Sequence, residues 1–222
     1  MPVSVIIPTL NEEDWIAGAV ESAFAAGAAE VIVVDGGSSD RTARFATAAG
    51  ARILLTEPMR ARQLNRGAEA ASNSDLIFLH ADSRLPAASA LSVETALATK
   101  CVFGGFRIRF IEADRKLRLA AKMINLRTAI TRAPWGDQGQ FIRRDTLLAG
   151  GGFREIPIME DYEMAIRIKR SGRTCILPME ITTSGRRFLQ KGLVRTAATN
   201  WSIVWRYRRG VDPEKLARAY RG

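Results

Sequence analysis

Cysteine and histidine are nearly missing from this chain. Its 222 residues hold two cysteines, Cys101 and Cys175, and one histidine, His80. Neither cysteine belongs to a CxxC pair, so a disulfide framework and a structural zinc site are excluded and a reducing compartment is expected. Both cysteines read as small core residues. No apolar run approaches the roughly 20 residues that span a bilayer. The opening Met1-Pro2-Val3-Ser4-Val5-Ile6-Ile7-Pro8 lacks a basic leader and reads as a strand rather than a signal peptide. No GxGxxG follows it, which disfavours a dinucleotide site, and a Walker loop is absent as well. Bound nucleotide phosphates would need a metal and arginine side chains as countercharge, with Arg60 and Arg62 as candidates.

What is present is a globular composition, 47% hydrophobic and 25% charged, with enough length for one domain and a short appendage. Lysine and arginine number 33 against 23 acidic residues, a net charge of +10. Such a charge suits nucleic acid, anionic lipid or phosphorylated small molecules. It is unevenly spread. Residues 186–222 hold ten basic and two acidic residues, +8, whereas residues 1–185 carry only +2. No helix-turn-helix, zinc-finger, KH or RNP signature occurs, so no nucleic-acid partner is expected.

Short β-branched runs alternate with Ala-rich helical stretches through the first half. Strands are expected at 3–7, 31–34, 53–55 and 76–79. Helices are expected from an Asn11/Asp14 cap to Gly27, over 41–49 and over 61–72. This alternation predicts a mostly parallel sheet with helices on both faces. Phe106, Ile108 and Phe110 alternate with Arg107 and Arg109, the pattern of a half-solvated antiparallel strand. A helix is expected over about 114–131, a strand at 140–142, a helix over 159–170, a strand at 174–177 and a basic amphipathic helix over about 190–209. Asp145 reads as a helix cap.

Ligands of open α/β sheets gather beyond the carboxyl ends of the strands. Three strand ends deliver Glu12, Asp35 and Asp82 to one edge. Carboxylates there can accept hydrogen bonds from a ribose or a base, or hold a hard divalent cation. For Asp35-Gly36-Gly37-Ser38-Ser39-Asp40, a plain turn with Asp40 as helix cap accounts for the residues equally well.

The ordered series Val5-Ile6-Ile7-Pro8-Thr9-Leu10-Asn11-Glu12, then Val33-Val34-Asp35-Gly36-Gly37-Ser38-Ser39-Asp40, then Leu79-His80-Ala81-Asp82-Ser83 resembles the nucleotide-sugar-binding half of family 2 glycosyltransferases. Gly150-Gly151-Gly152-Phe153 followed by Met159-Glu160-Asp161-Tyr162 resembles their acceptor half. Arg60-Ala61-Arg62-Gln63-Leu64-Asn65-Arg66-Gly67 and Trp135-Gly136-Asp137-Gln138-Gly139 are similar to a subgroup of small bacterial enzymes often associated with radical-SAM/selenodomain proteins.

The resemblance implies an α/β GT-A (nucleotide-diphospho-sugar transferase) fold at 1–185, with a nucleotide-sugar half (1–100), an acceptor half (101–185) and a basic helical tail (186–222). It implies that Pro8, Thr9, Glu12 and Ala81 line the nucleoside pocket, that Asp35 reads the base and that Arg60 faces the diphosphate. Asp82 would hold Mg2+ or Mn2+ against the diphosphate of a UDP- or GDP-linked sugar. Asp161 would be the general base of an inverting transfer to an acceptor hydroxyl, with Glu160 beside it as a like charge. Trp135, Asp137 and Gln138 would form the acceptor loop, Trp135 either stacking on the acceptor or packing at an edge. His80 stands where the family's DXD motif has its first aspartate. It is a metal ligand or a buried hydrogen-bonding histidine, and as a ligand it would favour Mn2+. The Gln-x-x-Arg-Trp motif of processive synthases is missing, so a non-processive enzyme is implied. A nucleotidyltransferase of related fold, or a basic nucleic-acid- or lipid-binding module, remains the alternative.

The tail interleaves its cations with Phe188, Trp201, Ile203, Val204, Trp205 and Tyr207. It reads either as an interfacial helix on an anionic membrane, which would make the protein cytoplasmic and peripheral, or as a packed helix with a solvated basic face.

Overall fold

The computed structural model describes residues 2–99, 101–112 and 114–221, for Arg221 the backbone alone. The expected division at residue 100 therefore falls on a residue outside the described ones. In chain order the elements are β1 (Val3–Thr9), α1 (Ile16–Ala25), β2 (Glu30–Asp35), α2 (Thr42–Ala48), β3 (Arg52–Leu55), α3 (Arg60–Ala70), β4 (Asp75–Phe78), β5 (Ser83–Arg84) and α4 (Ser89–Ala98). They continue with β6 (Cys101–Phe110), α5 (Arg115–Thr131), a 3-10 turn (Gly136–Gln138), β7 (Gln140–Arg143), α6 (Arg144–Ala149), α7 (Glu160–Ile168) and β8 (Arg173–Thr183). Three helices close the chain: α8 (Arg186–Lys191), α9 (Leu193–Arg208) and α10 (Pro213–Arg221).

One sheet runs β3-β2-β1-β4-β7-β6-β8-β5. β3, β2, β1 and β4 are parallel neighbours. β7 is antiparallel to β4 and β6, β8 is parallel to β6, and β5 is antiparallel to β8. The continuous apolar runs of the first strands make sense on this sheet, because successive side chains point to opposite faces. Val3, Val5, Ile7, Val31, Val33 and Ile77 enter one core, under α1, α4 and α5. Ile6, Ile32, Val34, Leu76 and Phe78 enter the other, under α3 and α7. Strand order reverses at β1, whose neighbours are β2 and β4, so a crevice opens beyond the carboxyl ends of β1 and β4.

Several expectations about local structure need correction. Asn11 does not cap α1; Trp15 stands at that N-cap with no side-chain bond. Arg143 precedes α6, and Asp145 lies inside its first turn. The strand expected to end at Leu177 continues to Thr183, because a register shift opposite Phe106/Arg107 absorbs Pro178, which cannot donate to a ladder. The single helix expected over 190–209 is broken at Gly192, whose φ of 82° no ordinary helix residue adopts. Ala-rich α4 carries no capping side chain to mark its start and has no counterpart among the expected helices. The alternation from Phe106 to Phe110 does hold, with Arg107 and Arg109 outward, but this stretch pairs parallel with β8 rather than antiparallel. No described helix is long and apolar enough to cross a membrane.

Gly67 sets how closely α3 lies on the sheet. A Cβ there would collide with Ile6 Cγ2 and fall 3.1 Å from Val34 Cγ2. Gly67→Val should therefore destabilise the fold by about 1–3 kcal/mol, offset only by the few tenths of a kcal/mol by which valine exceeds glycine in helix propensity. Urea unfolding reads this directly, and a variant within roughly 0.5 kcal/mol of wild type would contradict the close approach.

Candidate active site

The loops after β1 and β2 are laced together. Asn11, left-handed at φ 54°, donates its N–H to Ser38 Oγ (2.9 Å) and accepts from the Ser39 N–H (2.9 Å). The Glu12 N–H donates to Thr42 Oγ1 at 2.8 Å and the Glu13 N–H to Asp40 at 3.2 Å. Asp40 in turn accepts from the N–H and hydroxyl of Thr42 (2.9 and 2.5 Å), although Arg41 rather than Asp40 stands at the N-cap of α2. Asp35 closes its own turn, accepting from the Ser38 N–H (3.1 Å) and hydroxyl (2.5 Å), and is 2% exposed. Buried Gln63 of α3 donates at 2.8 Å to both Thr9 O and Val34 O, joining the ends of β1 and β2.

Beyond these strand ends lies a cleft of about 340 Å3. Pro8, Thr9, Glu12, Arg60, His80, Ala81 and Asp82 all line it; Asp35 does not. Arg62 points elsewhere, to Glu57 (2.5 Å) and Glu155 (2.8 Å). Four lining residues were not among the expected site residues, Leu10, Pro58, Gln63 and Arg186. Arg186 opens α8, grips Glu12 with both terminal nitrogens (2.6 and 3.1 Å) and reaches Asp82 at 3.3 Å. Its signal in the sequence was its place just past a strand end. Pro178 hid that, because the strand appeared to stop at Leu177, six residues before Thr183, where it does end.

The electrostatics follow from this crowding. Burial pushes the Asp82 carboxyl up, Arg186 pulls it back, and Glu12 pushes it up again. His80 lies well below the usual imidazole range because of burial and the positive charges of Arg60 and Arg186, so it is neutral. Its Nε2 is engaged by the Arg60 guanidinium, which makes the hydrogen-bonding role of His80 the one seen in this structure. Among the described residues no three His, Cys, Asp or Glu side chains form a ready-made metal cage. Glu12 and Asp82 nevertheless share one cation, the Arg186 guanidinium. Two carboxylates without a third protein ligand fit a hard divalent ion completed by phosphate oxygens and water.

α7 and the 3-10 turn lie beside the cleft without lining it, and they meet it through Arg60 and His80. Met159, at φ 72°, strains the backbone just before Glu160 and Asp161. Asp161 accepts from the Gly136 N–H at 2.6 Å through Oδ2 and from the Tyr162 N–H at 2.7 Å through Oδ1. A Cβ at Gly136 would fall 2.7 Å from Arg60 Nη2, 2.8 Å from His80 Nε2 and 2.9 Å from Asp161 Oδ2. Three of the expected site residues thus converge on one glycine. Arg60 also pairs with Glu160 at 2.9 Å. Burial, reinforced by Asp161 and opposed by Arg60, pushes the Glu160 carboxyl up to about 7.

In the expected acceptor loop, Gln138 is fully buried. Its amide oxygen accepts from Arg127, Thr128 and the Trp135 N–H, while its nitrogen donates to Phe106 O, so it shapes the turn. Trp135 has the Arg127 guanidinium 3.6 Å above its ring and meets Tyr162 edge-on at 6.3 Å; Tyr162 meets Tyr207 of α9 at 6.2 Å. Asp137 Oδ1 is buried without a hydrogen-bond partner among the described residues, and burial pushes this carboxyl up to about 6 despite Arg127. Cys101, its thiol pushed up to about 12 by burial, sits in the core, with Cys175 packed against it; both are free.

A family model described as Glycosyl transferase family 2 matches residues 4–148, more than half of the chain. No curated protein sequence matches the chain. Among solved structures, S. aureus TarS superposes with a TM-score of 0.65 at 16% identity, over 83% of this chain and 37% of that one. The mannosyltransferase PcManGT from Pyrobaculum calidifontis, in complex with GDP-Man and Mn2+, gives 0.65 at 22% identity, over 82% and 56%. Glucosyl-3-phosphoglycerate synthase from Mycobacterium tuberculosis, in complex with Mg2+ and UDP, gives 0.59 at 21% identity, over 82% and 70%. This chain thus spans well under half the length of TarS. The mixed sheet with helices on both faces is the GT-A fold.

Glu160 allows a test by pH. Its folded-state value near 7, above the ordinary 4.5, means that the folded protein keeps a proton the unfolded chain releases. The associated stability is complete below the ordinary value and is lost as pH rises through about 7. Urea unfolding at about pH 5 and about pH 8 should show wild type losing roughly 1–3 kcal/mol relative to Glu160→Gln. Parallel pH dependence of the two proteins would contradict the buried-acid account.

Proposed function

The chain belongs to glycosyl transferase family 2, and we propose that it moves a sugar from a UDP- or GDP-linked donor to an acceptor hydroxyl, with inversion, in a single displacement and without processive polymerisation. The observation that carries this reading is that Arg60 and His80, which line the cleft, converge with Asp161 on Gly136. The loops after β1 and β4 bring Glu12 and Asp82 to the cleft, α3 brings Arg60, and α7 brings Asp161 with its carboxylate held by two backbone N–H groups. The family membership sets aside the nucleotidyltransferase alternative.

In this reading Pro8, Thr9 and Ala81 line the nucleoside pocket. Asp35 reads the base after its bond to the Ser38 hydroxyl yields. Asp82, aided by Glu12, would hold Mg2+ or Mn2+, which when bound would supply Lewis-acid chemistry to the departing nucleoside diphosphate. Arg60 supplies further positive charge to the diphosphate. Asp161 retains lone pairs beyond its two backbone bonds and accepts the proton of the acceptor hydroxyl as that oxygen bonds to the anomeric carbon. The bond from that carbon to the phosphate oxygen breaks in the same step. Trp135 and Asp137 face the acceptor, and Gln138 positions them. The protein acts in the cytoplasm, with its basic tail at an anionic membrane.

Thermal shift with UDP and GDP, with and without Mn2+, combined with product mass spectrometry, tests the assignment. Asp161→Asn should keep the nucleotide–Mn2+ shift while transfer falls roughly 10²–10⁴-fold. Asp82→Asn should lose the metal-dependent part of the shift. Transfer that survives in Asp161→Asn would show that another group is the base.

A further inference from the structure

Two neighbouring helices each leave an apolar stripe uncovered. On α5, Leu119, Met123, Leu126 and Ile130 follow one another at helical spacing, and each is more than half exposed. The opposite side of α5 is already committed to the core through Leu117, Ala120, Ala121 and Thr128. α9 repeats the pattern. Val194, Trp201 and Trp205 are each more than half exposed, while Thr196, Ile203 and Val204 are buried. α5 and α9 are in contact, so the two stripes lie on adjoining helices.

Charge identifies the occupant. α5 carries Arg115, Lys116, Arg118, Lys122 and Arg127 and no acidic residue. From Arg186 to Val211 the chain again has no acidic residue, and the Arg209 guanidinium lies 3.7 Å from the Trp205 ring. A second copy docked on this face would set cation against cation. Exposed leucine, isoleucine and tryptophan flanked by Lys and Arg instead match the face of a helix lying in the headgroup region of an anionic bilayer. We infer that α5 and α9 together form a membrane-docking surface for anionic lipid, so that the membrane contact is not a property of the tail alone. The inference rests on the tail reading given above and adds α5 to it. Donor chemistry plays no part in it.

The test is co-sedimentation of the full chain with vesicles of phosphatidylcholine containing phosphatidylglycerol, and with phosphatidylcholine alone. Wild type should pellet with the anionic vesicles only. Leu126→Glu with Ile130→Glu on α5, and Trp201→Glu with Trp205→Glu on α9, should each lower binding roughly tenfold or more. Leu126→Gln with Ile130→Gln should also bind more weakly, which separates lost apolar contact from added negative charge. Because all four positions are exposed, the melting temperature and its response to nucleotide and Mn2+ should stay unchanged. If the α5 variants bind like wild type while the α9 variant does not, the role of α5 is overturned and the tail reading stands. If wild type fails to bind, both fall. A dimer in solution that the α5 variants dissolve, without vesicle binding, would assign the face to a second copy and overturn the inference.

Discussion

Carboxyl groups crowd the carboxyl ends of the sheet, and the arrangement around them is governed by how their charge is balanced. Glu12 and Asp82 come from the donor loops, Glu160 and Asp161 from α7, and Asp137 from the 3-10 turn. They act on one another and on Arg60, Arg127 and Arg186. Unpaired buried charge is costly, so each such acid must find a cation or keep its proton. Both solutions occur. Glu12 and Asp82 share Arg186, whereas Glu160, even with Arg60 at 2.9 Å, is pushed up to about 7, and Asp137 is pushed up to about 6. The arginines are also the ties between elements. Arg60 joins α3 to α7, Arg127 joins α5 to the 3-10 turn through Gln138, and Arg186 joins α8 to the loops after β1 and β4.

Backbone strain collects at the same place. Asn11 and Met159, two non-glycine residues with positive φ, stand immediately before Glu12 and Glu160. Such conformations persist where surrounding bonds hold them. Asn11 is held by Ser38 and Ser39, and the residues after Met159 by Gly136 and Gln140. Gly136 is where Arg60 and His80 of the cleft approach Asp161 of α7, and any side chain there would displace one of the three.

The donor half was legible because its strands are continuous apolar runs that can only be buried on both faces, and because the residues ending them are acidic. Glu12 and Asp82 follow directly from that logic. The turn reading of Asp35 and Asp40 was equally available from spacing, and in the structure those side chains make the turn's hydrogen bonds. Arg186 was hidden because Pro178 looked like the end of a strand that in fact passes it through a register shift. Its charge was counted with the tail, although the residue lines the cleft. Gln138 was itself an expected acceptor residue, but its four side-chain hydrogen bonds all go to the protein. α4 escaped notice because alanine and serine give weak periodicity and no capping side chain marks its start.

The central claim is that the Glu12–Asp82 pair is built around a cation, a place Arg186 takes in this structure. Electron paramagnetic resonance of Mn2+ titrated into the protein without nucleotide tests it most directly. Removing the guanidinium in Arg186→Ala should tighten Mn2+ binding roughly tenfold or more over wild type, because the two carboxylates lose their counter-ion. Mn2+ binding by Arg186→Ala that is equal to or weaker than that of wild type would contradict the account.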